Sequence, residues 1–301
     1  MNSRTEISAT LAPLASDDGL FSMLALDQRE SLRGMLAGSE SAAAVPDEAL
    51  VAFKDLAKGI LTPHATAVLL DRHFGLNGEP NHGIAPGCTL MLAADILHQV
   101  PGQPVDYTEF DDAVTPAMIA ETGAVALKLL VMWRADETAA QRKDIVEPFL
   151  RLAADAEVAA VVEGIVVPPA DGFGPGERDR AILAAAEELS DGADLYKAQV
   201  PGYSPGDTTQ VREASVRVSQ SIDTPWVVLS NGVAAEDFAS AVEEACRGGA
   251  SGFLAGRAIW ADTTSESDPR AALEQRSVQR LEQLRGVVRD ATAARAVEGT
   301  V

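Results

Sequence analysis

Eight short apolar segments, each ending in polar residues, recur along the chain and constrain its fold more than any other feature. They are FSMLALDQR (21–29), TAVLLD (66–71), CTLMLAAD (88–95), VALKLLVMWR (125–134), AAVVEGIVVPP (159–169), LYKAQVP (195–201), WVVLSNG (226–232) and GFLAGRAIW (252–260). Most stretches between them carry apolar residues at intervals of three and four, which predicts amphipathic helices. Buried strands that alternate with amphipathic helices are typical of a parallel sheet covered by helices.

We therefore expect an α/β fold, a (β/α)8 barrel of the TIM type, formed as a single domain by residues 1–301. Such barrels commonly use about 250 residues as one domain. An open, doubly wound sheet is the competing architecture, but the first βα turn contains no glycine-rich dinucleotide fingerprint. Segments rich in Gly, Pro and Asp follow the second, fifth and sixth strands and predict loops at 75–87, 168–179 and 201–209.

Composition limits the partners and the cellular location. The chain has 45 acidic and 24 basic residues, a net charge of −21, so we expect no nucleic-acid partner and no anionic membrane partner. The two cysteines, Cys88 and Cys246, do not suggest a disulfide framework. No apolar run reaches the roughly 20 residues of a spanning helix, and the first residues lack the apolar core of a signal peptide. These features favour a cytoplasmic protein.

Two lysines interrupt apolar segments. Lys128 lies in VALKLLVMW and Lys197 in LYKAQVP, and Glu163 lies between them at intervals of 35 and 34 residues, about one βα unit each. Burial and a like-charged neighbour both lower an amine's pKa, and a neutral amine can form a Schiff base. The alternative is that each lysine lies at a strand end, with its ammonium in solvent or paired with a carboxylate. Lys54, on a predicted helix, is assigned no role.

Two carboxylates end or interrupt apolar segments as well. Asp27 and Glu163 would stand at the carboxyl ends of strands, where barrel enzymes place their chemistry. A carboxylate there can transfer protons during carbinolamine formation, dehydration and C–C cleavage. The alternative is a structural partner for Lys128 or Arg29.

The last two strands end in small residues and an arginine. Their sequences are Leu-Ser-Asn-Gly-Val and Leu-Ala-Gly-Arg-Ala. Small residues let backbone N–H groups approach an anion, and an arginine adds charge-assisted hydrogen bonds. Because barrels often bind phosphate at these two loops, the pattern predicts a phosphate site.

Metal and cofactor chemistry are not expected. The four histidines, His64, His73, His82 and His98, have no ligand spacing around a carboxylate, although His73 and His82 flank one loop and could approach each other. No Walker motif is present. We therefore predict neither a metal site nor a cofactor.

Several of these segments together resemble one enzyme family. MLALDQRESLR, ALKLLVMWRADETAAQR, GADLYKAQVP, PWVVLSNGV and ASGFLAGRAIWA resemble the class I tagatose-1,6-bisphosphate aldolase family, in the same order. Within it they are most similar to the aldolases that cleave 6-deoxy-6-sulfofructose 1-phosphate in sulfoquinovose breakdown. The resemblance implies a retro-aldol reaction that yields dihydroxyacetone phosphate and 3-sulfolactaldehyde.

The resemblance also implies roles for individual residues. Lys197 would form the Schiff base, Lys128 would assist and orient the substrate, and Glu163 and Asp27 would be the catalytic carboxylates. The segments that would hold the phosphate of dihydroxyacetone phosphate contribute Ser230, Asn231, Gly232, Gly256 and Arg257, with Asn231 where the family usually has a smaller residue. Gln28 and Arg29 would contact the far end of the substrate. Barrels of this type usually associate, so we expect a dimer or tetramer.

Three alternative functions stay open. The same chemistry could act on tagatose 1,6-bisphosphate or fructose 1,6-bisphosphate, since sulfonate and phosphate are both tetrahedral anions. A lyase or isomerase could use either lysine as a general base without a covalent adduct. A sugar-phosphate sensor could share the fold without catalysis.

Overall fold

A closed parallel barrel forms the centre of the molecule in the computed structural model, which describes residues 7–78 and 80–298. Within these residues eight parallel strands close on themselves in the order β1-β10-β9-β8-β7-β6-β3-β2. The barrel strands are β1 (Phe21–Leu26), β2 (Ala67–Leu70), β3 (Thr89–Ala93), β6 (Ala126–Trp133), β7 (Ala159–Val166), β8 (Leu195–Gln199), β9 (Trp226–Leu229) and β10 (Gly252–Ala255). The predicted (β/α)8 barrel is confirmed, with one strand in each of the eight apolar segments.

Helices follow seven of the eight barrel strands and cover the barrel, while the described residues between β2 and β3 contain no α-helix. The helices are α1 (Glu30–Ala37), α2 (Asp47–Leu61), α3 (Pro116–Thr122), α4 (Ala139–Asp155), α5 (Glu177–Leu189), α6 (Val211–Ser221), α7 (Phe238–Arg247), α8 (Arg257–Trp260), α9 (Pro269–Ala272) and α10 (Val278–Glu298). The outward residues of the strands pack beneath these helices as the larger apolar core. A helix needs one apolar stripe for this contact, which explains the three- and four-residue spacing in the sequence.

Alternate residues of each strand point into the barrel, since side chains alternate across a strand. The inner apolar layer contains Phe21, Met23, Ala25, Ala67, Leu69, Met91, Ala93, Ala126, Ala159, Val161, Leu195, Val227 and Leu254. Two residues further towards the carboxyl ends, the side chains that point into the barrel are those of Lys128, Glu163 and Lys197. The fold therefore stacks a charged layer directly above an apolar one.

A two-stranded antiparallel hairpin, β4 (Asp95–His98) and β5 (Tyr107–Phe110), follows β3 and was not predicted. Its strands have four residues each and are partly exposed, so they lack the continuous apolar run that marks a barrel strand. Its connecting segment meets α1: a Cβ on Gly34 would lie 2.6 Å from the Cα of Gly102. The two backbones are in direct contact because neither glycine carries a side chain.

The structure corrects two predicted boundaries. The loop predicted at 168–179 ends earlier, because α5 begins at Glu177. The eighth strand was predicted to end in Leu-Ala-Gly-Arg-Ala (254–258), but β10 ends at Ala255, and Arg257–Trp260 form α8. Gly256 separates the two, and a Cβ there would lie 2.4 Å from the carbonyl oxygen of Ala25. A glycine at this position thus lets β10 and β1 come close together. No helix in residues 7–78 and 80–298 has the length and apolar character to span a membrane.

Candidate active site

Six ionisable side chains meet inside the carboxyl end of the barrel. They belong to Asp27, Asp71, Asp95, Lys128, Glu163 and Lys197, and none is more than 7% exposed. Three of the six follow β1, β2 and β3, and the other three lie within β6, β7 and β8. Buried charges require partners, so their mutual contacts decide what each can do.

Lys128 is surrounded by carboxylates. Its Nζ lies 2.8 Å from Asp27 Oδ2, 3.0 Å from Asp95 Oδ2 and 2.9 Å from Glu163 Oε2. Burial lowers the pKa of Lys128, but the three carboxylates outweigh it and raise that pKa well above its ordinary value. The expectation of a lowered pKa at Lys128 is therefore wrong, because the neighbouring charges are mainly negative. Lys128 is a fixed cation.

Lys197 has a simpler environment. It is 3% exposed, and its Nζ donates to Glu163 Oε2 at 2.9 Å. Glu163 and Lys197 are register partners on the adjacent strands β7 and β8, which explains the contact. Among the described residues, Glu163 is the one carboxylate that forms an ion pair with Lys197. One carboxylate oxygen thus bridges the two lysines.

Two carboxylates of the site, Asp27 and Glu163, are held in their ionised form. Burial raises the pKa of Asp27, but Lys128 and Lys197 outweigh it and hold that pKa well below its usual range. Burial likewise opposes ionisation of Glu163, and the same two lysines lower its pKa overall. Both groups can therefore accept protons near neutral pH.

A second set of buried charges extends the site and was missed. Asp95 Oδ2 accepts from the backbone N–H of Leu130 at 3.0 Å, and Asp95 Oδ1 accepts from Arg29 Nη2 at 2.9 Å. Lys54, which was assigned no role, is fully buried and forms an ion pair with Asp71. The sequence did contain a signal, since an aspartate follows the apolar run in each of the first three segments, at Asp27, Asp71 and Asp95.

The predicted phosphate segments lie side by side. Arg257 Nη2 donates to Asn231 Oδ1, and the backbone N–H of Ala258 approaches Ser230 Oγ at 3.5 Å. Gly232 has a φ of +80°, a conformation that favours glycine. The side chain of Arg257 reaches solvent, but protein atoms of the surrounding loops displace part of the water around it. This desolvation lowers the pKa of Arg257, and the charges of Glu163 and Asp27 oppose the shift. The arrangement brings a guanidinium and small residues to one place, as a phosphate site requires.

Gln28 and Arg29 lie in different surroundings. A Cβ on Gly256 would lie 3.1 Å from Gln28 Nε2, so Gln28 borders the phosphate segments, and its buried Oε1 has no hydrogen-bond partner among the described residues. Both Nη atoms of Arg29 donate to Asp95, at 2.7 Å to the carbonyl and 2.9 Å to Oδ1. The geometry therefore favours a role for Arg29 in holding Asp95, and its contact with substrate stays a prediction.

The site combines a bridged lysine pair with ionised carboxylates and a nearby guanidinium. Within the described ranges no group of three or more His, Cys, Asp and Glu residues is arranged to hold a metal ion. Nucleophilic attack by an amine, proton transfer by carboxylates and binding of an anion are the chemistry that this arrangement offers.

Solved aldolase structures share this fold. Fructose-bisphosphate aldolase from Plasmodium falciparum, solved with TRAP and a small-molecule inhibitor, has a TM-score of 0.70 at 15% identity, with 94% of each chain covered. An archaeal fructose-1,6-bisphosphate aldolase, with its catalytic Lys covalently bound to the carbinolamine intermediate of the substrate, has a TM-score of 0.62 at 15% identity. That match covers 93% of this chain and 98% of the other.

Relatives with assigned functions match at higher identity. Tagatose 1,6-diphosphate aldolase 1 of Enterococcus faecalis is 28% identical over 276 residues, covering 84% of this chain and 83% of its own length. The tagatose 1,6-diphosphate aldolase of Listeria monocytogenes is 29% identical over 282 residues, covering 84% and 80%. The profile of the DeoC/LacD family aldolases matches residues 21–262, most of the chain. The chain therefore belongs to the DeoC/LacD family and is a class I aldolase, an aldehyde-lyase.

Proposed function

We propose that the chain cleaves 6-deoxy-6-sulfofructose 1-phosphate to dihydroxyacetone phosphate and 3-sulfolactaldehyde through a Schiff base on Lys197. The observation that carries the choice of lysine is the unequal distribution of carboxylates. Lys128 contacts three of them, whereas Lys197 forms an ion pair with Glu163, an acid that it shares with Lys128. Three anionic partners stabilise the ammonium form of Lys128 and disfavour loss of its proton. Lys128 is therefore a poor nucleophile, and we assign the Schiff base to Lys197 on this ground.

We assign the proton transfers of imine formation to Glu163. It accepts a proton from Lys197, whose Nζ lies 2.9 Å away, and the neutral amine attacks the C2 carbonyl of the ketose. The same carboxyl group then protonates the carbinolamine hydroxyl, which leaves as water. An iminium remains on Lys197, and Lys128 keeps its positive charge throughout.

We assign the cleavage step to Asp27. Its Oδ2 is held by Lys128 at 2.8 Å, and its ionised form can take the proton of the C4 hydroxyl. The electrons of the C3–C4 bond move into the iminium to give an enamine, and the C4 fragment leaves as 3-sulfolactaldehyde. Protonation at C3 and addition of water then release dihydroxyacetone phosphate and restore the amine.

Reductive trapping tests this proposal. Incubation with dihydroxyacetone phosphate and borohydride should reduce the imine, inactivate the protein and leave a stable adduct on Lys197, located by peptide mass spectrometry. Lys197→Met should give no adduct. Lys143→Met, which alters an exposed lysine of α4, should behave as the unaltered chain does. An adduct on another residue would overturn the assignment of Lys197, and no adduct at all would favour a lysine general base.

The identity of the substrate requires a separate assay. The sequence resemblance favours the sulfonated ketose, whereas the relatives from Enterococcus and Listeria are named as tagatose 1,6-diphosphate aldolases, which favours the bisphosphate as the second candidate. A phosphate ester differs from a sulfonate by up to one negative charge and by one bridging oxygen atom. A few hydrogen-bond donors around the far end of the substrate can therefore discriminate between the sulfonated ketose and the bisphosphates. Comparing kcat/KM for the sulfonated ketose, tagatose 1,6-bisphosphate and fructose 1,6-bisphosphate decides between them. A higher value for either bisphosphate would refute the sulfonated substrate.

A further inference from the structure

Arg178 reaches from its helix across the ends of two neighbouring strands. It lies in the first turn of α5, after β7, and its Nη1 donates to the carbonyl oxygen of Val200 at 3.3 Å, just beyond β8. Its Nη2 lies 4.0 Å from the position that a Cβ would take on Gly232, in the loop after β9. The guanidinium is therefore next to the predicted phosphate segment.

This guanidinium lacks a close carboxylate. The Oδ1 of Asp179 lies 3.9 Å from Nη1 and already accepts a hydrogen bond from the backbone N–H of Gly202 at 2.8 Å. Arg178 Nη2 is buried and has no hydrogen-bond partner in the described part of the chain. By contrast, the buried Arg142 has Glu188 at 2.6 Å. A buried donor without a hydrogen-bond partner destabilises the folded state. The lack of a partner is notable in a chain with a net charge of −21, in which carboxylates are abundant.

Arg257 approaches the same segment from the other side. Its hydrogen-bond partner there is the neutral amide of Asn231. Burial lowers the pKa of both Arg178 and Arg257, whereas the carboxylates around Arg29 outweigh burial and raise the pKa of that arginine. Two positive charges thus flank residues 230–232: Arg178 has one carboxylate, at 3.9 Å, and Arg257 forms no ion pair among the described residues.

We propose that Arg178 adds a second guanidinium to the predicted phosphate site of Arg257 and binds the phosphate group of dihydroxyacetone phosphate and of the matching end of the ketose. This inference rests on the function proposed above. A phosphate presents three terminal oxygens, enough for two guanidinium groups and the backbone N–H groups of the glycine-containing loops. About a quarter of the Arg178 side chain (26%) is exposed, so a ligand can approach it.

Trapping at a series of ligand concentrations tests the role of Arg178. In Arg178→Met, the concentration of dihydroxyacetone phosphate that gives half-maximal borohydride inactivation should rise about 10- to 100-fold, the loss expected for a hydrogen bond to a charged group. Unphosphorylated dihydroxyacetone should trap Lys197 in the variant as it does in the unaltered chain. Arg178→Lys should restore part of the loss, because it keeps the charge but not the planar fork.

Arg180→Met is the matched control, since Arg180 lies on the same helix with 69% of its side chain exposed. It should leave both half-saturation values unchanged. A shift of less than 2-fold for dihydroxyacetone phosphate in Arg178→Met, or an equal loss with dihydroxyacetone, would overturn the proposal. A loss confined to ketoses with a second anion would instead place Arg178 at the far end of the substrate. Each of these three outcomes would exclude the proposed role of Arg178. If the unaltered chain still forms an adduct on Lys197, the proposed function is unaffected by that result.

Discussion

Single residues in the charged layer owe their properties to partners that are remote in sequence. Asp27 contacts Lys128 across 101 residues, and Asp95 contacts it across 33. A local sequence pattern shows that an ionisable residue interrupts a buried strand, so Lys128, Glu163 and Lys197 were identifiable. It does not show which charges other strands bring close. For this reason the direction of the pKa shift at Lys128 was predicted wrongly.

Glu163→Gln should separate proton transfer from substrate binding. The amide cannot accept the proton of Lys197, so kcat should fall about 10²- to 10⁴-fold, while KM changes little. Steady-state kinetics and single-turnover adduct formation would measure the two effects. The matched control is Glu187→Gln, an exposed position on α5. A kcat within about 3-fold of the unaltered value would exclude Glu163 as the main proton acceptor, and a thermal melt would show whether the variant remains folded.

Among the elements, β7 positions the site most directly. It pairs with β6 along its whole length and aligns Glu163 beside Lys197 of β8. The next residue, Gly164, faces outward, where a Cβ would lie 2.2 Å from the hydroxyl oxygen of Tyr196. Tyr196 is 1% exposed and precedes Lys197 in the chain. Because position 164 has no side chain, Tyr196 can pack against β7. This contact positions β8, the strand that carries the proposed nucleophile Lys197.

Gly164→Ala should destabilise the protein by about 1–3 kcal/mol, because the added methyl must displace the buried Tyr196 ring. Gly59→Ala provides the opposite control. Gly59 lies within α2, and a Cβ there meets no atom within 4 Å, so alanine should stabilise the helix by up to about 1 kcal/mol. Chemical denaturation of both variants measures these changes. Equal stability of Gly164→Ala and the unaltered chain would contradict the packing described for Tyr196.

The barrel strands could be predicted from the sequence, whereas the β4–β5 hairpin could not. Barrel strands buried on both faces produce apolar runs, and all eight were found. The β4–β5 hairpin has short, partly exposed strands with mixed side chains, and this pattern resembles a loop. The aspartate that begins β4 was overlooked together with the hairpin, although it is one of the three carboxylates around Lys128. One of the charged residues that the sequence did not predict, Asp95, thus lies on the element that it did not predict.

For the whole molecule, the buried charges predict a stability that depends on pH at both extremes. Asp27 and Glu163 have lowered pKa values when folded, so their contribution is present above their unfolded pKa of about 4 and is lost as the pH falls through the folded values. The pKa of Lys128 is raised, so its contribution is present below the unfolded value of about 10.4 and is lost as the pH rises through the folded one. The contributions of these three groups are all present between about pH 5 and pH 10.

Urea unfolding at a series of pH values measures this profile, and Asp27→Asn isolates one contribution. On the acid side the variant should lower the slope of unfolding free energy against pH by up to about 1.4 kcal/mol per pH unit, the effect of one proton. Asp112→Asn, at an exposed position beyond β5, is the control and should leave the slope largely unchanged. An unaltered slope in Asp27→Asn would show that Asp27 titrates alike in the folded and unfolded chain.

The contact between Gly34 and Gly102 fixes one edge of the entrance to the barrel. The N–H of Gly102 also donates to the carbonyl of Glu30 at 3.1 Å, and Arg134 donates to the carbonyl of Asp106 at 2.8 Å, so the hairpin is attached to α1 on one side and to the end of β6 on the other. With no side chains between the two backbones, the hairpin cannot come any closer to α1. Adapting the entrance to a longer or bulkier sugar therefore requires changes elsewhere at the carboxyl end of the barrel, where they leave this contact intact.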